Sequence, residues 1–294
     1  MRRHPKIKLL DIVLGALVLS ALFYSLYRVR IGLHYRWNWG AIPQYLFRYD
    51  PDKMRWVPNI LIEGLLTTIK LSLWATFLAT IIGGIMGLLR VSKSLFARLI
   101  GSVYVQSIRN VPPLVLLFIF YYFIGDQILS AAQFDTFIDT AGDTVKGICR
   151  VLFVPPPLIP AFFSALIALA IFEGSYITEM VRAGIQSIHF GQWEASRALG
   201  FNRRQQLCHI ILPQAVQRIL PPLAGQLIST IKDSAIVSVV SIQELTFQGL
   251  ELMSATYLTF EIWITITAMY LALTLSCSMA VSRLEGRMNK AAAG

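Results

Sequence analysis

Apolar residues fall into six long runs, about Leu9–Tyr27, Ile60–Leu89, Pro112–Ser130, Leu158–Val181, Ile219–Val240 and Thr259–Val281, separated by polar or basic connections. A helix needs about 20 consecutive apolar residues to cross a bilayer core, where only helices and closed barrels satisfy their own backbone. The pattern therefore predicts an all-α, polytopic membrane protein of about six transmembrane helices. The second run is long enough to tilt or to project beyond the bilayer. Within it Ala79, Gly83 and Gly87 recur every four residues, a small-residue stripe that lets helix backbones approach closely in lipid. Pro112-Pro113 opens the third run, because proline is tolerated in a first helical turn.

The connections differ in character. Ile31 to Val57 carries Trp37, Trp39, Tyr45, Tyr49 and Trp56, amphipathic rings suited to the membrane interface, so this segment is expected to lie flat on the outer surface. Arg90–Arg109 reads as a basic loop, Ala131–Pro157 as an external loop with Asp135, Asp139 and Asp143 that ends in three prolines, and Ser241–Leu258 as an outer connection.

Gly191–Pro213, GQWEASRALGFNRRQQLCHIILP, is a polar and basic island between two apolar runs. It reads as a helix-loop-helix. Glu194 in a first turn favours the positive helix end, Gly200 can take the left-handed conformation that stops the helix, Asn202 can cap a second one, and Pro213 closes that one. Ala195, Ser196 and Ala198 leave the first helix nearly bare of bulk, so a partner can approach its backbone as when a short helix lies in a groove.

Composition supports the membrane reading. Of 294 residues, 55% are hydrophobic and 14% charged, against about 25% charged in soluble domains, and the mean hydropathy is +0.61. The net charge of +10 sits in short runs between apolar segments, not on one soluble face, which argues against nucleic acid. With the N-terminus inside, the inner segments hold 16 Lys and Arg residues and the outer ones 8, so the positive-inside rule places both termini and the 191–213 island in the cytoplasm. Six of those eight lie in the first outer loop (Arg28, Arg30, Arg36, Arg48, Lys53 and Arg55), where snorkelling to head groups or an outer partner would account for them. The basic start followed by an apolar run has the look of a signal peptide, but Tyr24–Arg30 lacks small-x-small cleavage spacing, which predicts an uncleaved helix. Cys149, Cys208 and Cys277 are scattered and imply neither a disulfide framework nor a metal site.

No enzyme motif is present. GxxxxGK[ST], HExxH and GxSxG are all missing, and His4, His34, His189 and His209 form no ligand cluster, so any ATP must be handled by another subunit. Ionisable residues inside the apolar runs are the sharper signal, since a charge at the bilayer centre costs at least about 2.5 kcal/mol and is expected to face a cavity or a partner. Glu173 lies near the middle of the fourth run with Tyr176 three residues on, and Lys232-Asp233-Ser234 interrupts the fifth. A zwitterionic amino acid needs an acceptor for its ammonium and a donor for its carboxylate, and Glu173 and Lys232 supply one of each. A structural reading stands beside this one: Lys232 pairs with Asp233 or Glu179, and Glu179 with Arg182. Glu63 and Lys70, seven apart on one helix face, are expected to form a pairing and not a substrate contact.

Glu194-Ala195-Ser196, Gly200, and Ile210-Ile211-Leu212-Pro213 together resemble the EAA loop of ATP-binding-cassette importer permeases, with Ser196 where a third alanine is usual. Ser107 to Pro113, Tyr176 to Gln186, Leu212 to Ala215 and Ile231 to Ala235 are similar to the polar amino-acid branch of that family, and the likeness covers roughly 57–288. The resemblance implies a type I permease core of five helices, 57–288, preceded by an extra helix and outer interfacial loop, 1–56. It further implies a second permease subunit, identical or a sister chain, two ATPase subunits that hold the ATP, and an extracytoplasmic solute-binding protein. On this view Gln192, Trp193, Glu194, Ala195, Ser196, Ala198, Leu199 and Gly200 couple to the ATPase. A central site formed by the spans, for which Glu173, Tyr176, Lys232, Asp233 and Ser234 are candidates, alternates its access across the bacterial inner membrane. A permease for an osmolyte or opine, or an ion-coupled carrier using Glu173, Glu179 and Lys232, are the alternatives; dependence on ATP and on a second gene product separates the last from the rest.

Overall fold

The computed structural model describes residues 9–32, 35–52, 54–123, 127, 136 and 140–293. The chain divides into two units, Met1–Trp39 and Gly40–Gly294. The first contains α1 (Leu9–Gly32), whose apolar stretch Leu9–Ser25 coincides with the first expected span. In the same unit the Trp37 ring meets Tyr35 edge-on at 5.2 Å and stacks on Trp39 at 5.8 Å.

The second unit opens with α2 (Ile42–Leu46) and a β-hairpin, β1 (Phe47–Asp50) with β2 (Arg55–Pro58). The register pairs Tyr49 with Trp56, and their rings lie 5.8 Å apart. The interfacial segment is thus partly a hairpin with aromatics on one face. Then follow α3 (Ile60–Arg90), α4 (Leu95–Arg109), α5 (Pro113–Tyr122), α6 (Asp143–Leu152), α7 (Ile159–Gln186) and α8 (Phe190–Ala198). A short α9 (Arg203–Gln205) runs through a π-helical stretch, Gln206–Ile211, into α10 (Leu212–Asp233) and a 3₁₀ tail, Ser234–Val240. The chain ends with α11 (Leu245–Thr256) and α12 (Thr259–Ala293).

Among the described residues four helical stretches, Ile60–Arg90, Pro156–Gln186, Arg203–Val240 and Thr259–Arg283, are long and apolar enough to cross a membrane. Together α4 and α5 pass the same test as a pair bent by 108°. Three expected connections are therefore helical. Arg90–Arg109 is mostly α4, because Gly101, Val105 and Ile108 recur on one side and bury against the bundle. Ser241–Leu258 is mostly α11, and the described end of 131–157 holds α6. Each reads as a loop in sequence because its polar face is in view and its packed face is short. The remainder of the 131–157 expectation, and of the third run beyond residue 123, lies outside the described residues except at 127 and 136.

The bundle is built around α7, against which α3 packs along its length. A Cβ on Gly83 would lie 2.6 Å from Ile177, and one on Gly87 2.5 Å from Val181. The small-residue stripe is thus the seat for the β-branched side chains of α7. In lipid the tails are as apolar as leucine, so such close packing, not removal of apolar surface from water, holds the helices together. One core cluster, with Leu71, Phe162, Leu169 and Val237, occupies one end of α7; a second, with Ala79, Ile177, Ile185 and Ile219, occupies the other. Within α3, Thr68 Oγ1 donates to Gly64 O (3.1 Å) and Thr80 Oγ1 to Thr76 O (2.7 Å), the usual way a helix satisfies a buried hydroxyl, whereas Ser72 Oγ and Thr76 Oγ1 are buried without a hydrogen-bond partner.

Candidate functional site

A cavity of about 230 Å³ opens at mid-length of α7, lined by Pro113, Leu117, Leu169, Phe172, Tyr176 and Asp233 among others. It brings together three stretches distant in sequence: the proline turn opening α5, the centre of α7, and the last residue of α10. Two of the five candidate site residues, Tyr176 and Asp233, line it. Glu173 lies behind them, fully buried. One of its oxygens accepts from Gln226 Nε2, the other has no hydrogen-bond partner, and the Asp233 carboxyl is close enough to interact with it. Two neighbouring carboxyls in a low-dielectric setting repel when both are ionised, so a cation beside them is favoured.

Lys232 and Ser234 are placed differently from the expectation. Lys232 is exposed and, among the described residues, forms no ion pair with Glu173, Asp233 or Glu179. The reason is angular: successive helical residues point about 100° apart, so Asp233 can face the cavity only if Lys232 does not. Ser234 is buried, and its Oγ donates to Ile231 O (2.8 Å) as α10 tightens into the 3₁₀ tail. Glu179 is held by Arg182 Nε (2.7 Å), as the structural reading expects, and also by Arg90 from α3.

Besides Lys232, whose charge still acts on the adjacent Asp233, a second cation near the cavity is Arg109, which sequence reasoning passed over. Its guanidinium lies 4.8 Å from the centroid of the Tyr176 ring, a cation–π arrangement. A signal was available, since Arg109 ends α4 directly before the proline turn. Gln226 was missed too, as one of three glutamines in α10 with nothing in the sequence to single it out.

At the far end of α7, the island folds as a helix, a turn and a helix. Gly200 stops α8 with φ +81°, a conformation that costs glycine nothing. Asn202 and Gln205 form a capping box, Asn202 Oδ1 accepting from Gln205 N (3.0 Å) and Gln205 Oε1 from Asn202 N (2.9 Å), which satisfies two otherwise orphaned amides. The Arg203 guanidinium sits 3.8 Å over the Trp193 ring, and Gln214 Nε2 donates to Gln192 Oε1 (3.3 Å), so the two limbs brace each other. Three details differ from the sequence reading. Glu194 falls in the second turn of α8, because the helix begins at Phe190. Pro213 does not close a helix but lies at the start of α10, directly after the π-helical stretch and inside a helical run continuous from Arg203, so its missing N–H falls at the π-to-α junction. Ser196 turns inward and is 2% exposed, with its Oγ donating to Trp193 O (3.0 Å), while Ala195, Ala198 and Gly200 face outward, flanked by Phe190 (71% exposed) and Leu199 (75%).

The family described as binding-protein-dependent transport system inner membrane component matches residues 79–290. The chain is 31% identical over 232 residues to the probable glutamine ABC transporter permease protein GlnM of Bacillus subtilis (strain 168), spanning 79% of this chain and 94% of that one. It is 33% identical over 229 residues to the glutamine transport system permease protein GlnP of Escherichia coli (strain K12), spanning 78% and 93%. A solved structure described as an amino acid ABC transporter with histidines superposes with a TM-score of 0.62 at 34% identity, over 78% of this chain and 94% of that one. The chain therefore belongs to the binding-protein-dependent transport system inner membrane components, as a multi-pass permease subunit of an ABC importer and not its ATPase.

Proposed function

We propose that the chain translocates polar amino acids, carrying them through the α5–α7–α10 cavity by alternating access driven by ATP on two separate ATPase subunits. The observation that carries this reading is the charge arrangement at the cavity: Asp233 on its wall with Glu173 behind, and Arg109 over Tyr176. The carboxyls accept an ammonium, and the guanidinium beside the wall residue Tyr176 binds a carboxylate, most strongly in bidentate geometry. A second acidic group on the substrate would meet Glu173 and Asp233, so neutral polar amino acids are favoured over acidic ones. The relatives include both glutamine and glutamate/aspartate permeases, which support polar amino acids as the class without choosing between neutral and acidic ones.

The permease pairs with a second copy or a sister chain, receives substrate from an extracytoplasmic binding protein, and seats α8 in an ATPase groove. Both termini and α8 lie on the cytoplasmic side, which the distribution of basic residues supports. Residues 57–288 form the translocating part and 1–56 an accessory one. ATP-driven closure of the ATPases draws the α8 helices together and rocks the spans so that the cavity opens outward. The test is uptake into vesicles bearing the permease with its neighbouring ATPase and binding protein, measured across the amino acids with and without ATP. Saturable ATP-dependent uptake of a neutral polar amino acid is expected, and exclusive uptake of acidic amino acids or uptake without ATP overturns the reading.

A further inference from the structure

A second cavity, of about 300 Å³, lies at the end of the bundle opposite α8, where the start of α3, the end of α6, the start of α7 and the 241–248 stretch meet. That volume is at the lower end of the range of about 300–1,000 Å³ usual for small-molecule sites. Its wall carries Glu63, Lys70 and Arg150 together with the amides of Gln243 and Gln248. Glu63 stands in the first turn of α3, where the positive helix end favours a carboxylate. Lys70 Nζ donates to Arg150 O (2.9 Å) and Trp74 Nε1 to Leu152 O (3.1 Å). These contacts cap the last carbonyls of α6 and fix it over α3, and an ammonium has three donors, so Lys70 keeps two.

The sequence predicted that Glu63 would find a cation, yet among the described residues its carboxylate has no hydrogen bond or ion pair, and neither has the Arg150 guanidinium. The positions of Glu63 and Lys70 are two helical turns apart, about 10 Å along α3. One cavity therefore holds an acidic end and a basic end that do not neutralise each other, with free amides between. Opposite charges left apart on one concave wall match a molecule that carries both charges itself. We propose that this cavity binds a ligand with a primary ammonium and an anionic group, Glu63 taking the ammonium and Arg150 with Lys70 the anion. Two sources share that chemistry: a free polar amino acid, in which case the inference rests on the function proposed above, and the phosphoethanolamine head group of a lipid.

The experiment uses the permease–ATPase complex in nanodiscs, without binding protein, with radiolabelled L-glutamine as probe and bilayers made with and without phosphatidylethanolamine. Glu63→Gln and Arg150→Gln leave the Lys70 and Trp74 contacts in place, and Asp233→Asn reports on the central cavity. For the amino-acid source, wild type binds two glutamines per chain. Each outer variant then weakens one of them by about tenfold or more, the effect of losing a hydrogen bond to a charged group, and Asp233→Asn weakens the other. For the lipid source, wild type binds one glutamine and retains phosphatidylethanolamine through detergent washing, and both outer variants lose that lipid. A single glutamine site abolished by Asp233→Asn, with lipid retention unchanged in the outer variants, overturns the inference and leaves the central site standing. No glutamine binding at any site, with the lipid result intact, removes glutamine from the central reading alone.

Discussion

The guanidinium of Arg109, at the end of α4, sits 4.8 Å over the ring of Tyr176 at the centre of α7, joining the proline turn to the cavity wall. A cation–π contact at an exposed site contributes only about 0.5–1 kcal/mol, too little to explain the arrangement as a stabilising device alone. If Arg109 holds the substrate carboxylate, Arg109→Ala raises the apparent KM for uptake by about tenfold or more while complex yield stays unchanged. Tyr176→Phe keeps the ring face and changes little. Uptake kinetics and yield on the same membranes check both, and an unaltered KM in Arg109→Ala removes Arg109 from the site.

Glu173 is matched with Gln226 and not with Lys232. Gln226→Leu strands a buried carboxyl, at a cost of about 1–3 kcal/mol or more, and is expected to lower the amount of folded complex. Lys232→Met is expected not to rescue Glu173→Gln, since no ion pair joins the two side chains, although both act on Asp233 and their effects are therefore not strictly additive. Rescue of Glu173→Gln by Lys232→Met would contradict the observed geometry.

Gly83 and Gly84 are adjacent on α3 but differ in surroundings, since a Cβ at Gly83 meets Ile177 at 2.6 Å and one at Gly84 meets nothing within 4 Å. Gly83→Val is expected to destabilise the bundle by about 1–3 kcal/mol through overpacking, and Gly84→Val to be close to neutral. Thermal denaturation of the purified complexes in one detergent distinguishes them, and equal midpoints would refute the α3–α7 contact.

Glu244, the N-cap of α11, is fully buried in the connection before α12. It accepts from Phe247 N (2.8 Å) at Oε1, and from Tyr270 OH (2.8 Å) and Thr68 Oγ1 (3.3 Å) at Oε2. Burial holds its carboxyl above the usual carboxylate range, with the hydrogen bonds pulling the other way. The native state then keeps this proton to higher pH than the unfolded state, so the group's contribution is full below the unfolded pKa and lost as pH rises through the folded one. Thermal midpoints scanned from about pH 4 to about pH 8 should fall less steeply in Glu244→Gln than in wild type. Identical profiles would show that Glu244 carries none of the dependence.

Ala195 faces outward on α8 between exposed Phe190 and Leu199, with Ser196 turned to the inside. If this face docks in the ATPase, Ala195→Asp places an unpaired charge in a close contact and uncouples ATP hydrolysis from uptake without affecting insertion. Hydrolysis and uptake measured together in vesicles test it, and wild-type coupling in Ala195→Asp excludes the docking face.

What the sequence determined by itself is what depends on local order along the chain. Run length set the four helices that are long and apolar enough to cross among the described residues, because backbone satisfaction in lipid leaves no other solution; it did not show that the basic segment 95–109 forms a bent pair with α5. The spacing of Ala79, Gly83 and Gly87 marked the α3 seat, Asn202 and Gly200 set the turn after α8, and the EAA-like loop marked the family. What only the tertiary structure decided is which polar groups meet. Consecutive residues Lys232 and Asp233 look interchangeable in sequence, but helix rotation gives the cavity to one and removes the other. Arg109 reaches Tyr176 only because α4 packs on α7, and Gln226 reaches Glu173 only because α10 packs on α7. Glu63 and Lys70 share a helix face, as their spacing implied, yet the end of α6 takes the lysine and leaves the carboxylate open. Partner choice depends on the relative rotation and height of packed helices, a property of pairs of segments that no single segment encodes.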